Sequence, residues 1–164
     1  MPHLEYCTQA WSPWNNGDRE ALESIQRRAV KAVSNLKGRT YEERLMELGL
    51  DTLVERRKRG DLLQAYRVFS EKDNVNPDTW FTRCQPGAGP VATRRQRGLW
   101  NVDIPEWNGE VRHNFWSVRV CEPWNDLPDQ VKQADTMNSF KNSLDNHMGW
   151  GSQQARRNQE QNGS

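Results

Sequence analysis

Little in this 164-residue sequence suits a large core or a metal centre. Apolar residues make up 34% and mean hydropathy is −1.04, so the chain supports at most one domain plus a tail. No run of about 18 apolar residues occurs, which argues against a membrane-spanning helix. The three cysteines, Cys7, Cys84 and Cys121, are far apart. No Cys-x-x-Cys and no Cys/His cluster has zinc spacing. That usage reads as reduced thiols in an intracellular protein, nuclear or cytoplasmic, with no secretory leader. No metal or other cofactor is expected.

Charge of neither sign dominates, and the formal net charge is +1. Its distribution is uneven. From Asp18 to Asp73 there are 13 Lys/Arg against 11 Asp/Glu, and from Arg83 to Arg119 there are 6 against 3. The positive excess is local and modest. Enzyme signatures are also missing. There is no phosphate-binding G-x-x-x-x-G-K-[ST], no G-x-G-x-x-G and no H-E-x-x-H. His3, His113 and His147 share no local motif, and Asp51, Asp61 and Asp103 read as solvated surface charges. No catalytic activity is expected.

What is present is mostly helical patterning. Residues 3–11 read as a helix stub, and Pro13 disfavours helix at Ser12. Asp18 is a plausible N-cap for a helix over 19–37, with Leu22, Ile25, Ala29, Val33 and Leu36 as its apolar stripe. Arg27 and Lys31 fall opposite, with Arg28 on the flank, and Gly38 follows the helix end. Thr40-Tyr41-Glu42-Glu43 is a capping-box pattern opening a short helix with Tyr41, Leu45 and Leu48 inward and Gly49 as its stop. Thr52-Leu53-Val54-Glu55 repeats the pattern and opens a longer helix to about Phe69. On it, Leu62, Ala65, Tyr66 and Phe69 share one side, and Arg56, Gly60 and Arg67 the other. Lys58 falls near the apolar side, where its stem can pack. Short connections between these helices predict an antiparallel bundle over residues 1–70.

Residues 71–110 are punctuated by proline and glycine. They predict an irregular basic linker with short strands, carrying the dense patch Arg94, Arg95 and Arg97. Residues 111–148 predict a C-terminal helical extension. Its first part fits helix or strand, with helix preferred; Trp124–Pro128 reads as a turn. Thr136 caps a last helix bearing Met137, Phe140, Leu144 and Met148 on one face. The Gln-, Asn-, Arg- and Gly-rich tail, 149–164, predicts disorder. The fold class is therefore mainly α. Eight tryptophans are spread along the chain. They fit either core packing or a surface that meets a partner.

Several blocks carry a resemblance. Pro2-His3-Leu4-Glu5-Tyr6-Cys7-Thr8-Gln9-Ala10-Trp11-Ser12-Pro13 is followed by Leu22–Lys31, then Tyr41-Glu42-Glu43-Arg44-Leu45, Leu48-Gly49-Leu50 and Glu55–Leu62. Val118-Arg119-Val120 with Trp124-Asn125-Asp126-Leu127-Pro128, and then Asn138–Asp145, close the series. In this order they resemble the region after the polymerase palm in reverse transcriptases of non-LTR (LINE-type) retrotransposons, the chicken-repeat and jockey-like group. The likeness covers roughly residues 2–145 and is weakest over 82–110. There Thr93-Arg94-Arg95 stands where the family has Thr-Arg-Gly. Met1 stands where the family commonly has Arg, so the chain is expected to begin inside a helix that was once continuous.

The resemblance implies a thumb, a helical grip on the template–primer duplex, for residues 1–70. Polymerisation needs two metal ions about 3.5–4 Å apart held by carboxylates, which this family supplies from an aromatic-x-Asp-Asp hairpin. No Asp-Asp pair occurs in this sequence. The expectation is thus a truncated polymerase fragment without catalysis, with weak, non-specific binding to RNA or DNA backbone. The candidate contacts are Arg27, Lys31, Arg56, Arg57, Arg59, Arg67, Arg94, Arg95 and Arg97. The competing assignment for these cations is a solvated face paired with Glu23, Glu55 or Asp61. The competing function is a stand-alone helical module that binds a protein through its tryptophan-rich surface.

Overall fold

The computed structural model describes residues 7–70, 72–84, 100–106 and 108–150. The chain is mainly α. In order come α1 (Asn16–Lys31), α2 (Tyr41–Leu48), α3 (Leu53–Phe69), α4 (Glu110–His113), α5 (Trp116–Arg119), α6 (Cys121–Asn125), α7 (Asp129–Lys132) and α8 (Met137–Met148). Short 3₁₀ turns lie at Ser34–Leu36 and Pro77–Thr79. The only β pairing among the described residues is one antiparallel bridge, Arg83 with Val102. The fold divides into two compact units, residues 1–58 with 144–164, and residues 59–143. The division falls within α3 and within α8.

Helix ends follow local chemistry. Thr40 Oγ1 accepts from the Glu43 amide at 3.3 Å, and Glu43 Oε2 accepts from the Thr40 amide at 2.8 Å. Gly49 ends α2 at φ +63°, a conformation that costs an L-residue about 1–2 kcal/mol and glycine almost nothing. Thr52 and Glu55 form the same reciprocal pair at the start of α3, at 3.0 and 3.3 Å. Thr136 Oγ1 accepts from the Ser139 amide at 3.1 Å and caps α8. The cap of α1 is Asn15, which accepts from Gly17, and Asp18 sits in the first turn instead. The helix also stops at Lys31. Its expected last residues form the 3₁₀ turn, which buries Leu36.

In the first unit α1 turns a different face inward from the one its apolar spacing suggests. Ile25 is exposed, while Glu23, Gln26 and Val30 are buried. The reason is a polar junction. The Tyr41 hydroxyl donates to Glu23 Oε1, and the Leu53 amide donates to Glu23 Oε2 at 3.1 Å. Gln26 Nε2 donates to the Asp51 carbonyl at 3.1 Å and to the Tyr41 hydroxyl oxygen at 3.2 Å, and Gln26 Oε1 accepts from Arg56 Nη1 at 3.1 Å. One glutamate thus serves as a carboxylate cap at the positive end of α3 and as a tie to α2. Burial and the Glu23 hydrogen bond push the Tyr41 phenol up to about 12. Val30, Leu36, Leu45, Leu53, Leu144 and Trp150 supply the apolar packing. Trp150 falls in the tail expected to be disordered, and it is buried; residues 151–164 lie outside the described residues.

The second unit is built on stacked rings. Tyr66 stacks on Phe140 with centroids 4.2 Å apart, and Phe69 meets Trp124 at 4.7 Å and Phe81 at 4.8 Å. Trp116 closes the cluster edge-on to Phe81 at 5.4 Å. Such pairs add roughly 0.5–1.5 kcal/mol each beyond area burial. Polar clamps fix the segments that carry no helix. Trp124 Nε1 donates to the Trp100 carbonyl at 2.9 Å, and Asn125 bonds both the amide and the carbonyl of Val102, at 2.9 and 2.8 Å. The buried Lys132 ammonium donates to Asn101 Oδ1 at 2.6 Å and to the Asn125 carbonyl at 3.2 Å, and burial lowers its pKa. Asp61 is not a solvated charge. It is buried and receives Arg119 Nε at 2.9 Å and Nη2 at 3.0 Å. Asp103 accepts from the Cys84 thiol at 3.1 Å.

Candidate nucleic-acid interface

Five exposed cations of the first unit lie in the last turns of α1 and in the segment that follows it. Because Glu23, Gln26 and Val30 face inward, Arg27, Arg28 and Lys31 face water. Arg27 and Lys31 are one turn apart on the same side. Arg28 and Lys31 lie in the last turn, where the negative end of the helix dipole favours positive charge. Past the helix, Lys37 and Arg39 are exposed on either side of Gly38, whose φ of +83° turns the chain. From Ser24 to Tyr41 the sequence holds five cations, Arg27, Arg28, Lys31, Lys37 and Arg39, and no carboxylate.

Arg27 is the member with a partner. Its Nη1 lies 2.8 Å from Glu20 Oε1, and that hydrogen bond raises its pKa. Its guanidinium also sits 5.2 Å from the centre of the Tyr41 ring. An ion pair this open to solvent contributes little, so a phosphate can compete for the guanidinium. Arg28, Lys31, Lys37 and Arg39 take part in no ion pair with the described residues.

The candidate cations of α3 are placed differently. Arg57 is buried, with its guanidinium 5.7 Å from the Trp11 ring centre. Arg56 is half-buried on Gln26, and burial lowers its pKa. Both are engaged within the fold, Arg56 on Gln26 and Arg57 against Trp11. Arg59 is half-buried, and Lys58, expected to lay its stem on the apolar side, is exposed. Arg67 is exposed, in the second unit, with Nε 3.9 Å from Asp73 Oδ1. Arg94, Arg95 and Arg97 lie outside the described residues.

Of the cations singled out by sequence, the structure therefore brings Arg27 and Lys31 together, beside Arg28. Lys37 and Arg39 were not singled out. A scan for charged stretches that contain no opposite charge would have found them, because the signal is the missing carboxylates rather than a dense basic motif. Among the described residues, no three His, Cys, Asp or Glu side chains converge as metal ligands. No helix among them is long and apolar enough to cross a membrane. What the arrangement offers an extended anion is two ammonium point charges, Lys31 and Lys37, and three planar guanidinium groups, Arg27, Arg28 and Arg39. Comparison with protein-family models, with curated proteins and with solved structures returned no match.

Proposed function

We propose that this chain is a thumb-like, post-palm segment of a non-LTR retrotransposon reverse transcriptase, and that it holds nucleic-acid backbone without catalysing a reaction itself. The observation that carries this reading is the acid-free run from Ser24 to Tyr41, whose five cations are exposed in the last turns of one helix and in the segment that follows it. Such contacts position a phosphate chain and read no bases. The blocks that resemble the family support the same reading. Trp124 and Asn125 clamp residues 100–102, and Asp61 and Arg119, from two separate blocks, meet in one ion pair. The aromatic-x-Asp-Asp hairpin that polymerisation would need is not among these residues.

The test is a salt series on the binding of labelled duplex and single-stranded oligonucleotides. Each duplex phosphate contact contributes roughly −0.9 to the slope of log K against log salt. Replacing Arg28, Lys31, Lys37 and Arg39 by alanine should make that slope shallower by about 3 to 4, with the far-ultraviolet circular dichroism unchanged. An affinity that ignores salt, or survives the quadruple replacement, would refute the proposal. A protein-binding module is the second reading. It is favoured by the exposure of Trp11 and Trp14 in the first unit and of Trp80 and Trp100 in the second. Salt-insensitive capture of a protein partner would select it.

A further inference from the structure

The second unit contains a cavity of about 280 Å³ lined by Phe69, Trp100, Asn101 and Arg83. An apolar cavity of roughly 150 Å³ admits a benzene ring, so this volume suits one flat ring system of one or two fused rings. Two aromatic residues, Phe69 and Trp100, are among its walls. Phe69 is fixed from behind by Phe81 and Trp124. Trp100 is 41% exposed, yet its main chain is anchored. Its carbonyl accepts from Trp124 Nε1, and the next carbonyl, of Asn101, accepts from the Cys84 amide at 3.0 Å. The main chain that carries the Trp100 ring is therefore fixed before any ligand arrives.

Two polar side chains also line it among the described residues. Asn101 Oδ1 is taken by the buried Lys132 ammonium at 2.6 Å. That bond sets the orientation of the amide and leaves its Nδ2 hydrogens as donors. Arg83 is an exposed cation on the rim, 3.5 Å from Asp78 Oδ1 in a pair open to solvent on both sides. Exposed pairs of this kind contribute little, so an incoming dianion or phosphodiester can displace the aspartate. A flat ring between aromatic walls, an amide donor for its edge and a guanidinium at the mouth match the parts of a nucleotide. Stacking on aromatic rings beside a cation is how sequence-tolerant single-strand binders hold bases.

We propose that this cavity receives one unpaired nucleobase of a single strand, with Arg83 on the adjoining phosphate. The inference rests on the nucleic-acid reading above and deepens it. It assigns a preference for unpaired over paired nucleotides, because a base inside a duplex has no face left for Trp100.

The experiment uses the full chain. The indole N–H signal of Trp100 is assigned by its loss in Trp100→Phe. It is then followed by NMR during titration with adenosine and uridine 5′-monophosphates, and separately with inorganic phosphate. A saturable shift with the nucleotides but not with phosphate is expected. Binding of a labelled single-stranded oligonucleotide should weaken by roughly 5- to 150-fold in Trp100→Ala, the range for loss of one stacked base. Trp100→Phe should restore most of it, Arg83→Gln should weaken it, and Asp78→Asn, which frees the guanidinium, should tighten it. Duplex binding should be unaffected by Trp100→Ala.

A Trp100 signal indifferent to nucleotides, or an equal loss for duplex and single strand, overturns the assignment. So does a mononucleotide that binds as tightly as the oligonucleotide, which would make this a free-nucleotide site. Should the α1 cation variants lose oligonucleotide binding while Trp100→Ala does not, the pocket fails and the backbone grip stands. Should Trp100 respond to nucleotides while the α1 variants bind normally, the reverse holds.

Discussion

Removing Asp61 isolates one of the strongest long-range polar links in the second unit. Its carboxylate is a two-point acceptor for Arg119, at 2.9 and 3.0 Å, and Arg119 Nη1 also donates to the Asn114 carbonyl at 2.8 Å. The side chains retain only 10% and 17% of their exposure. Breaking a buried pair by deleting one partner costs about 3–5 kcal/mol, because the other charge stays behind. The residual exposure of the guanidinium and its bond to Asn114 soften the loss, so Asp61→Ala should cost about 3 kcal/mol. For a chain of this length that corresponds to a fall in Tm of roughly 6–12 °C. Urea unfolding of wild type, Asp61→Leu, Arg119→Met and the double variant gives the coupling directly. The double variant should recover to within about 1 kcal/mol of wild type, since an apolar pair of similar volume needs no desolvated charge. A cost below about 1 kcal/mol for either single change, or simple additivity in the double, would refute the claim that this pair behaves as a buried unit.

Three further outcomes follow from groups already described. The Tyr41 phenol is raised to about 12 from an ordinary value of 10.0, so the folded chain holds its proton more tightly than the unfolded chain. That contribution to stability is complete below pH 10 and is lost as pH rises toward 12; Tyr41→Phe should flatten the alkaline slope of urea midpoints. Thr40→Ala and Thr52→Ala should each cost about 1 kcal/mol by removing a reciprocal cap, while Ser at either site should retain most of it. Cys7 is exposed, whereas Cys84 and Cys121 are buried and burial pushes the Cys121 thiol up to about 11. Iodoacetamide at pH 8, read by peptide mass spectrometry, should therefore label Cys7 first, and equal labelling of Cys121 would contradict its burial.

What could be read from the sequence was what depends on near neighbours. The caps at Thr40, Thr52 and Thr136 and the stop at Gly49 each involve residues a few positions apart, and all four stand where spacing puts them. Phe140 and Leu144 are fully buried as their helical spacing requires. The inward face of α1 was not legible. Glu23 and Gln26 look like surface residues until Tyr41, Asp51, Leu53 and Arg56, 15 to 30 positions away, supply their partners. The same long reach hid the burial of Asp61 and Arg57. Among the candidate cations, Arg27 and Lys31 are exposed, whereas Arg57 is buried and Arg56 half-buried. Density says nothing about which cations a neighbouring ring or amide will claim.

Asn125 has one more effect. Its amide meets both main-chain groups of Val102, while Asn101 and Asp103 exchange bonds with Cys84 and Thr82 on the opposite side. A side chain thus stands in for a neighbouring strand, and this extended stretch has its hydrogen-bonding groups engaged along both borders. It offers no template for another chain to pair with, so the molecule is guarded at this spot against edge-to-edge aggregation.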